Sequence, residues 1–224
     1  MKKLDVAASS VSYTKGKKGY FAEPKGGGTY PGVVMIHEWW GLNDNMKEMA
    51  RNLAGEGYRV LAVDLFGSVT TTADEARAQV AALDREAALA NMKAAAAFLR
   101  SRGAEKIASL GWCFGGAQSL QLAISGEPLD ATVIYYGQLV TNGAQLRNVA
   151  WPILGIFGEE DTSIATSTVR KFESELTRLG IRHSITVYPG VGHAFANPSG
   201  ANYAPAETKD AWAKTLEFLA ENLK

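Results

Sequence analysis

Cysteine is nearly absent: Cys113 is the only one in 224 residues. An internal disulfide is thereby excluded, and a lone thiol suits a reducing compartment. Histidine is almost as scarce, with three residues, so each imidazole can be weighed individually. An excess of one charge is also missing, because Lys plus Arg and Asp plus Glu both number 23. Such a balance offers no global field for phosphate backbones or anionic lipid, and nucleic acid is not an expected partner. No apolar run approaches the length that spans a bilayer. Met1-Lys2-Lys3 passes into Leu4-Asp5-Val6 rather than into the apolar core of a signal peptide. A soluble, cytoplasmic protein without membrane association is the expectation.

What is present is ordinary globular composition, 46% apolar and 21% charged, enough for a large core. One α/β domain over residues 1–224 accounts for the length. Val11-Ser12-Tyr13 and Tyr20-Phe21-Ala22 read as short strands around a Lys- and Gly-rich turn. Val33-Val34-Met35-Ile36 is a β-branched apolar run suited to a strand covered on both faces. Apolar residues then recur at helical spacing from Leu42 to Leu53, with Asn43 placed to cap the helix. Strands follow at 58–63, 107–110, 131–136, 153–157 and 184–188. Helices are expected over about 72–100 with one break, from Gly115 to about Ile124, from about Ile164 to Leu179, and from Ala206 onward. Alternating strands and helices imply a mainly parallel sheet, with ligands bound beyond the carboxyl ends of its strands.

Gly111-Trp112-Cys113-Phe114-Gly115-Gly116 lies between a predicted strand and a predicted helix, the context a nucleophile elbow requires. Glycines around the central residue let the chain turn sharply and lift its side chain above the sheet. The following helix aims N–H groups and partial positive charge at Cys113, favouring a thiolate and the oxyanion of an acyl substrate. Phe114 N–H supplies one oxyanion donor in this reading. A second comes from the loop after Val33–Ile36, where Trp39 N–H is the candidate. A lone cysteine in such a pattern is equally well a small buried apolar residue.

Two further loops tilt the balance. Asp161 and His193 each follow a predicted strand, so nucleophile, acid and base occur in the chain order of an α/β-hydrolase. His193 would take the thiol proton and return it to the leaving group, while Asp161 fixes the imidazole tautomer. Glu159 and Glu160 compete with Asp161, which is favoured because it closes the turn before Thr162-Ser163. His183 is read as a surface or edge residue. His37 and Glu38 lie at the same sheet edge, either as a satisfied loop histidine and a solvated carboxylate or with Glu38 as a second partner for Cys113.

These segments together resemble the dienelactone hydrolase (carboxymethylenebutenolidase) family of the α/β-hydrolase superfamily. The matching stretches are His37-Glu38-Trp39-Trp40-Gly41-Leu42-Asn43, Asp64-Leu65-Phe66-Gly67, the Cys113 turn, Gly158-Glu159-Glu160-Asp161 and Gly192-His193-Ala194-Phe195. The resemblance implies a three-layer α/β-hydrolase fold and a cysteine acyl-enzyme. Catalytic roles fall on Cys113, Asp161, His193 and Glu38, oxyanion donors on Trp39 and Phe114, and neither cofactor nor metal is implied.

The sequence departs from the family where substrate is held. Members that open dienelactone carry an Arg after the D-L-[YF] segment and another four residues beyond the catalytic His. Here those regions read Gly67-Ser68-Val69-Thr70 and Asn197, so bidentate carboxylate recognition is lost and a substrate other than dienelactone is expected. Trp40, Trp112, Tyr136, Phe195 and Asn197 are taken as substrate-binding, with Trp39 and Tyr203 as further candidates. For each aromatic residue, core packing is an equal alternative. Arg77 and Arg85 read as solvated helix residues. The expected partner is a small ester or lactone, on a monomer or weak homodimer. A noncatalytic or redox-sensing thiol module on the same fold is the competing reading. Glutamine-amidotransferase-like and papain-like schemes fit poorly, since Cys113 is mid-chain and the acid and base positions are far apart in sequence.

Overall fold

The computed structural model describes residues 3–224. They hold eight strands and seven helices, in two compact units, one ending at Ser109 and the other running from Leu110 to Lys224.

The first unit opens with a hairpin of β1 (Val6–Thr14) and β2 (Lys17–Pro24). Its turn is Lys15-Gly16, with Gly16 at φ 73°. The pairing runs from Thr14↔Lys17 out to Val6↔Pro24, with an irregularity between Ser12 and Thr14. Both strands are longer than the sequence pattern indicates, because backbone pairing continues through polar, exposed residues that carry no alternation. Antiparallel β2 and β4 (Arg59–Val63), then parallel β4 and β3 (Gly32–Ile36), extend the order to β1-β2-β4-β3. β3 is buried at every residue, as its unbroken apolar run requires.

Helix α1 (Asp44–Gly55) begins where expected, with the Asn43 side chain accepting the Met46 N–H at 3.0 Å. The Ala-rich stretch is broken once, into α2 (Ala73–Ala81) and α3 (Arg85–Ser101). Thr72 and Asp84 supply the caps that restart each piece. α3 buries Ala88, Met92, Ala95, Ala96 and Leu99 along one stripe, whereas α2 buries only Ala76.

Strand β5 (Ile107–Trp112) carries the chain into the second unit and runs two residues beyond the expected span. There α4 (Phe114–Ile124) follows at once. β6 (Ala131–Tyr135), β7 (Ile153–Gly158) and β8 (His183–Tyr188) are parallel, in the order β6-β7-β8. The short α5 (Gly143–Leu146) lies outside the helices that the sequence predicts, since four residues are too few for periodicity to register. α6 (Thr166–Arg178) turns Val169, Phe172 and Leu176 inward, and α7 (Pro205–Leu223) buries Ala211, Thr215, Phe218 and Leu219. Thr215 meets the buried Tyr135 hydroxyl at 2.7 Å, so the polar atoms on this helix face are satisfied. The fold class is α/β with a mainly parallel sheet. Among the described residues, no helix is long and apolar enough to cross a membrane.

Candidate active site

Cys113 stands between the end of β5 and the first residue of α4, at φ 54° and ψ −117°. This is a region that L-residues occupy only under constraint. The constraint is visible on both sides. A side chain at Gly111 would strike the Gly115 carbonyl, and one at Gly116 would lie 2.6 Å from the Tyr135 carbonyl oxygen. That same carbonyl accepts the Cys113 N–H at 3.0 Å, and the Cys113 carbonyl accepts the Ala117 N–H at 3.2 Å. The bend is therefore pinned at its centre and leaves the thiol half-buried at the start of the helix.

His193 Nε2 lies 3.1 Å from Cys113 Sγ, and His193 Nδ1 lies 2.7 Å from Asp161 Oδ2. The other Asp161 oxygen accepts the N–H groups of Ser163 and Ile164 at 2.7 and 2.9 Å. Asp161 is thus the acid that meets the imidazole, while Glu159 and Glu160 on the same turn are exposed. Its residue exposure is 3%. Burial alone would raise the Asp161 carboxyl, but the His193 hydrogen bond and the Ile164 and Ser163 N–H groups outweigh it and hold it below the usual carboxylate range. For His193, burial works against the charged form. The hydrogen bonds and charges of Asp161 and Cys113 prevail and lift its pKa from 6.5 to about 10. His183 lies on β8 and engages the Ile181 carbonyl at 2.7 Å, consistent with the edge role expected of it.

Further contacts steady this line, one of them from a residue that the sequence does not single out. Asn202 donates its side-chain amide to the His193 carbonyl at 3.0 Å, and Ala194 beside it has φ 59°. Tyr136, itself at φ 36°, sets its ring edge-on to the imidazole with centroids 5.3 Å apart. Phe195 packs on Tyr136 at 5.6 Å and on Tyr188 at 5.3 Å. No periodicity marks Asn202, nine positions downstream in a loop, so only coordinates could find it.

The expected substrate-binding residues divide. Tyr136 and Phe195 are fully buried and Trp112 is 5% exposed, with Trp112 packed on Tyr135 at 5.3 Å. These three rings pack as core. Buried Asn197 accepts the Ser199 N–H at 2.9 Å, and Tyr203 is exposed. Phe114 is half-buried at the head of α4. Arg77 pairs with Asp74 at the surface, and Arg85 is exposed.

In the first unit, β3 ends in a loop carrying His37, Glu38, Trp39 and Trp40. His37 and Glu38 are buried, and the two half-buried indoles meet at 67° with centroids 5.1 Å apart. Gln79 of α2 donates to the Trp39 carbonyl, and Thr70 N–H donates to the Trp40 carbonyl at 3.0 Å. Gly41, at φ 90°, passes so close to the Ser68 carbonyl that no side chain fits. No group of three or more His, Cys, Asp or Glu among the described residues is arranged to hold a metal ion.

Residues 18–223 match the dienelactone hydrolase family. A Saccharolobus solfataricus protein provisionally named a carboxymethylenebutenolidase is 30% identical, covering 84% of this chain and 88% of its own. The protein usf of Aquifex pyrophilus is 33% identical, with 92% and 94% covered. Among solved structures, a dienelactone hydrolase-like promiscuous phosphotriesterase from metagenomic libraries superposes with TM-score 0.87 at 27% identity, covering 98% of this chain and 99% of its own. With a family match that runs through both units, the chain belongs to the dienelactone hydrolase family, carboxylic ester hydrolases built on the α/β-hydrolase fold.

Proposed function

We propose that this hydrolase cleaves small, uncharged carboxylic esters or lactones through an acyl-enzyme on Cys113, with His193 as base and Asp161 as its orienting acid. The observation that carries the reading is the continuous hydrogen-bonded line from Sγ through the imidazole to a carboxylate that two backbone N–H groups hold in place. The thiol proton passes to Nε2 and Sγ attacks the substrate carbonyl carbon. The resulting oxyanion is met by the Phe114 N–H at the positive end of α4. The family resemblance adds Trp39 N–H as second donor and Glu38 as the carboxylate that activates the thiol. Collapse breaks the ester C–O bond, and the leaving alkoxide takes the proton from Nε2. Water then attacks the thioester, giving one proton to Nε2 and releasing the acid, and the thiol recovers its proton.

The uncharged substrate follows from the guanidinium groups that this sequence lacks at the family's carboxylate-holding positions. Asn197 caps its own turn, and the Asp64 carboxylate is occupied with the N–H groups of Phe66 and Gly67 at 3.2 and 2.8 Å. Neither supplies a cation. Short-chain p-nitrophenyl esters with wild type and Cys113→Ala are the test. The wild type should turn over and Cys113→Ala should lose at least about a thousandfold in kcat/KM. A thioester on Cys113 should appear by mass spectrometry after rapid acid quench. Equal rates in both proteins would remove Cys113 from the chemistry. No turnover in either, over a panel of esters and lactones, would favour the noncatalytic thiol module.

A further inference from the structure

His37 has no part in the mechanism above, yet it is fully buried directly before the loop that bears Glu38 and Trp39. Its two ring nitrogens are both engaged. Nε2 accepts the Leu65 N–H at 3.1 Å, and Nδ1 lies 2.6 Å from the Glu38 carbonyl oxygen. A carbonyl can only accept, so Nδ1 carries the hydrogen and Nε2 is bare: one neutral tautomer satisfies both contacts. Burial disfavours the charged imidazole and lowers its pKa, against the opposing pull of the Glu38 carbonyl and Asp64.

The Glu38 carbonyl belongs to the same peptide unit as the Trp39 N–H. In a trans peptide these two groups point in opposite directions, and the described chain contains no cis bond. Drawing the carbonyl toward the buried imidazole therefore turns the Trp39 N–H to the other side. Gly41 N–H reinforces the same carbonyl at 3.2 Å. The carbonyls of Trp39 and Trp40 are gripped in turn by Gln79 and by Thr70 N–H, so three successive peptide planes are fixed.

We propose that His37 is a positioning residue for the reaction: its Nδ1–H locks the Glu38–Trp39 peptide so that the Trp39 N–H is pre-aimed as an oxyanion donor. This rests on the reading of Trp39 as such a donor and deepens it. A donor that need not reorient as charge develops contributes in the transition state and little in the ground state. Disturbing His37 should accordingly lower kcat and leave KM nearly unchanged.

The experiment compares His37→Leu, His37→Asn and His37→Gln. Asn places an amide nitrogen where Nδ1 was, whereas Gln reaches toward the Nε2 side. Each variant is checked by thermal melt and assayed on a short-chain aryl ester. Each is also reacted with a trifluoromethyl ketone, whose adduct with Cys113 is a hemithioketal with an ionisable oxygen that 19F NMR can titrate. In the wild type that oxygen should ionise at lower pH than in a small-molecule thiol adduct. His37→Leu should lose about tenfold to a hundredfold in kcat and raise the adduct's titration midpoint by about one pH unit for each tenfold lost. His37→Asn should restore both to within about threefold of wild type in rate and a few tenths of a pH unit in midpoint. If the Leu variant does not fold, the Asn and Gln pair carries the comparison, with Gln behaving as Leu would. A wild-type midpoint no lower than that of the small-molecule adduct sinks the oxyanion-donor reading itself. A depressed wild-type midpoint that the Leu or Gln variant leaves in place, with kcat unchanged, overturns the role of His37 alone.

Discussion

At the scale of single residues, the site is held by backbone conformations that resist substitution. Cys113 remains at positive φ because its N–H and carbonyl are both tied into α4 and β6, and Gly116 is where that bend touches the Tyr135 carbonyl. Gly116→Ala should cost about 1–3 kcal/mol, measured by urea unfolding, and should reduce turnover further by shifting Sγ relative to His193. Asp161→Asn tests a different link. It retains the side-chain volume but loses the charge and the tautomer preference, so kcat should fall by about 10³–10⁴, and the melting temperature should fall as well because the charge that stabilises the His193 imidazolium is gone.

The same pair of groups predicts how stability depends on pH. The folded His193 pKa stands at about 10, against an ordinary 6.5. Its contribution is fully present below 6.5 and is lost as pH rises toward 10. The Asp161 pKa is depressed instead, so its contribution is present above the ordinary carboxylate value and disappears as pH falls through the folded one. Urea unfolding across a pH series should show stability declining on the alkaline side. His193→Gln should flatten that decline, and an unchanged slope in the variant would assign the alkaline loss to other groups.

Among the elements, α2 is the least anchored in the first unit. It buries only Ala76 and is tied to the Trp39 loop by the Gln79 side chain. Hydrogen exchange should therefore be faster in α2 than in α3, whose apolar stripe is continuous. Gln79→Ala should speed exchange in α2 and in the loop after β3, leaving α3 protected. Elements of this kind differ in how legible they are. Asn43 announces α1 because a cap has a local signature, and the break between α2 and α3 is legible once the Asp84 cap is recognised. Most of β1 and all of α5 carry no such signature, because neither alternation nor a helical face marks them. Trp112 shows the remaining difficulty. Every residue of β5 is buried, so an apolar run gives no indication of which face a ring occupies, and pocket lining cannot be told from core.

For the molecule as a whole, the equal numbers of acidic and basic residues mean that any preference for charged substrates must come from local groups. An ester bearing a free carboxylate should be a poorer substrate than its methyl-capped isostere by about tenfold to a hundredfold, the equivalent of one missing charge-assisted hydrogen bond. Comparison of kcat/KM for the two decides it, and a preference for the acid would mean that another cation serves the site. The Cys113–His193–Asp161 line was legible from chain order and the glycine turn. The contacts that steady its imidazole, from the Asn202 amide and the Tyr136 ring, were not, since they form only when loops fold back.

That line also draws its members from the ends of three strands, β5, β7 and β8, and the last two are aligned at Gly158↔Tyr188. Slipping β8 by a single position would displace the imidazole by roughly 3.3 Å and invert every side chain behind it. Under the proposed Cys113 mechanism, a misthreaded chain with ordinary secondary structure would then be silent toward substrate. Turnover per mole of protein thus becomes a tally of correctly threaded molecules, able to expose faulty refolding that circular dichroism would pass.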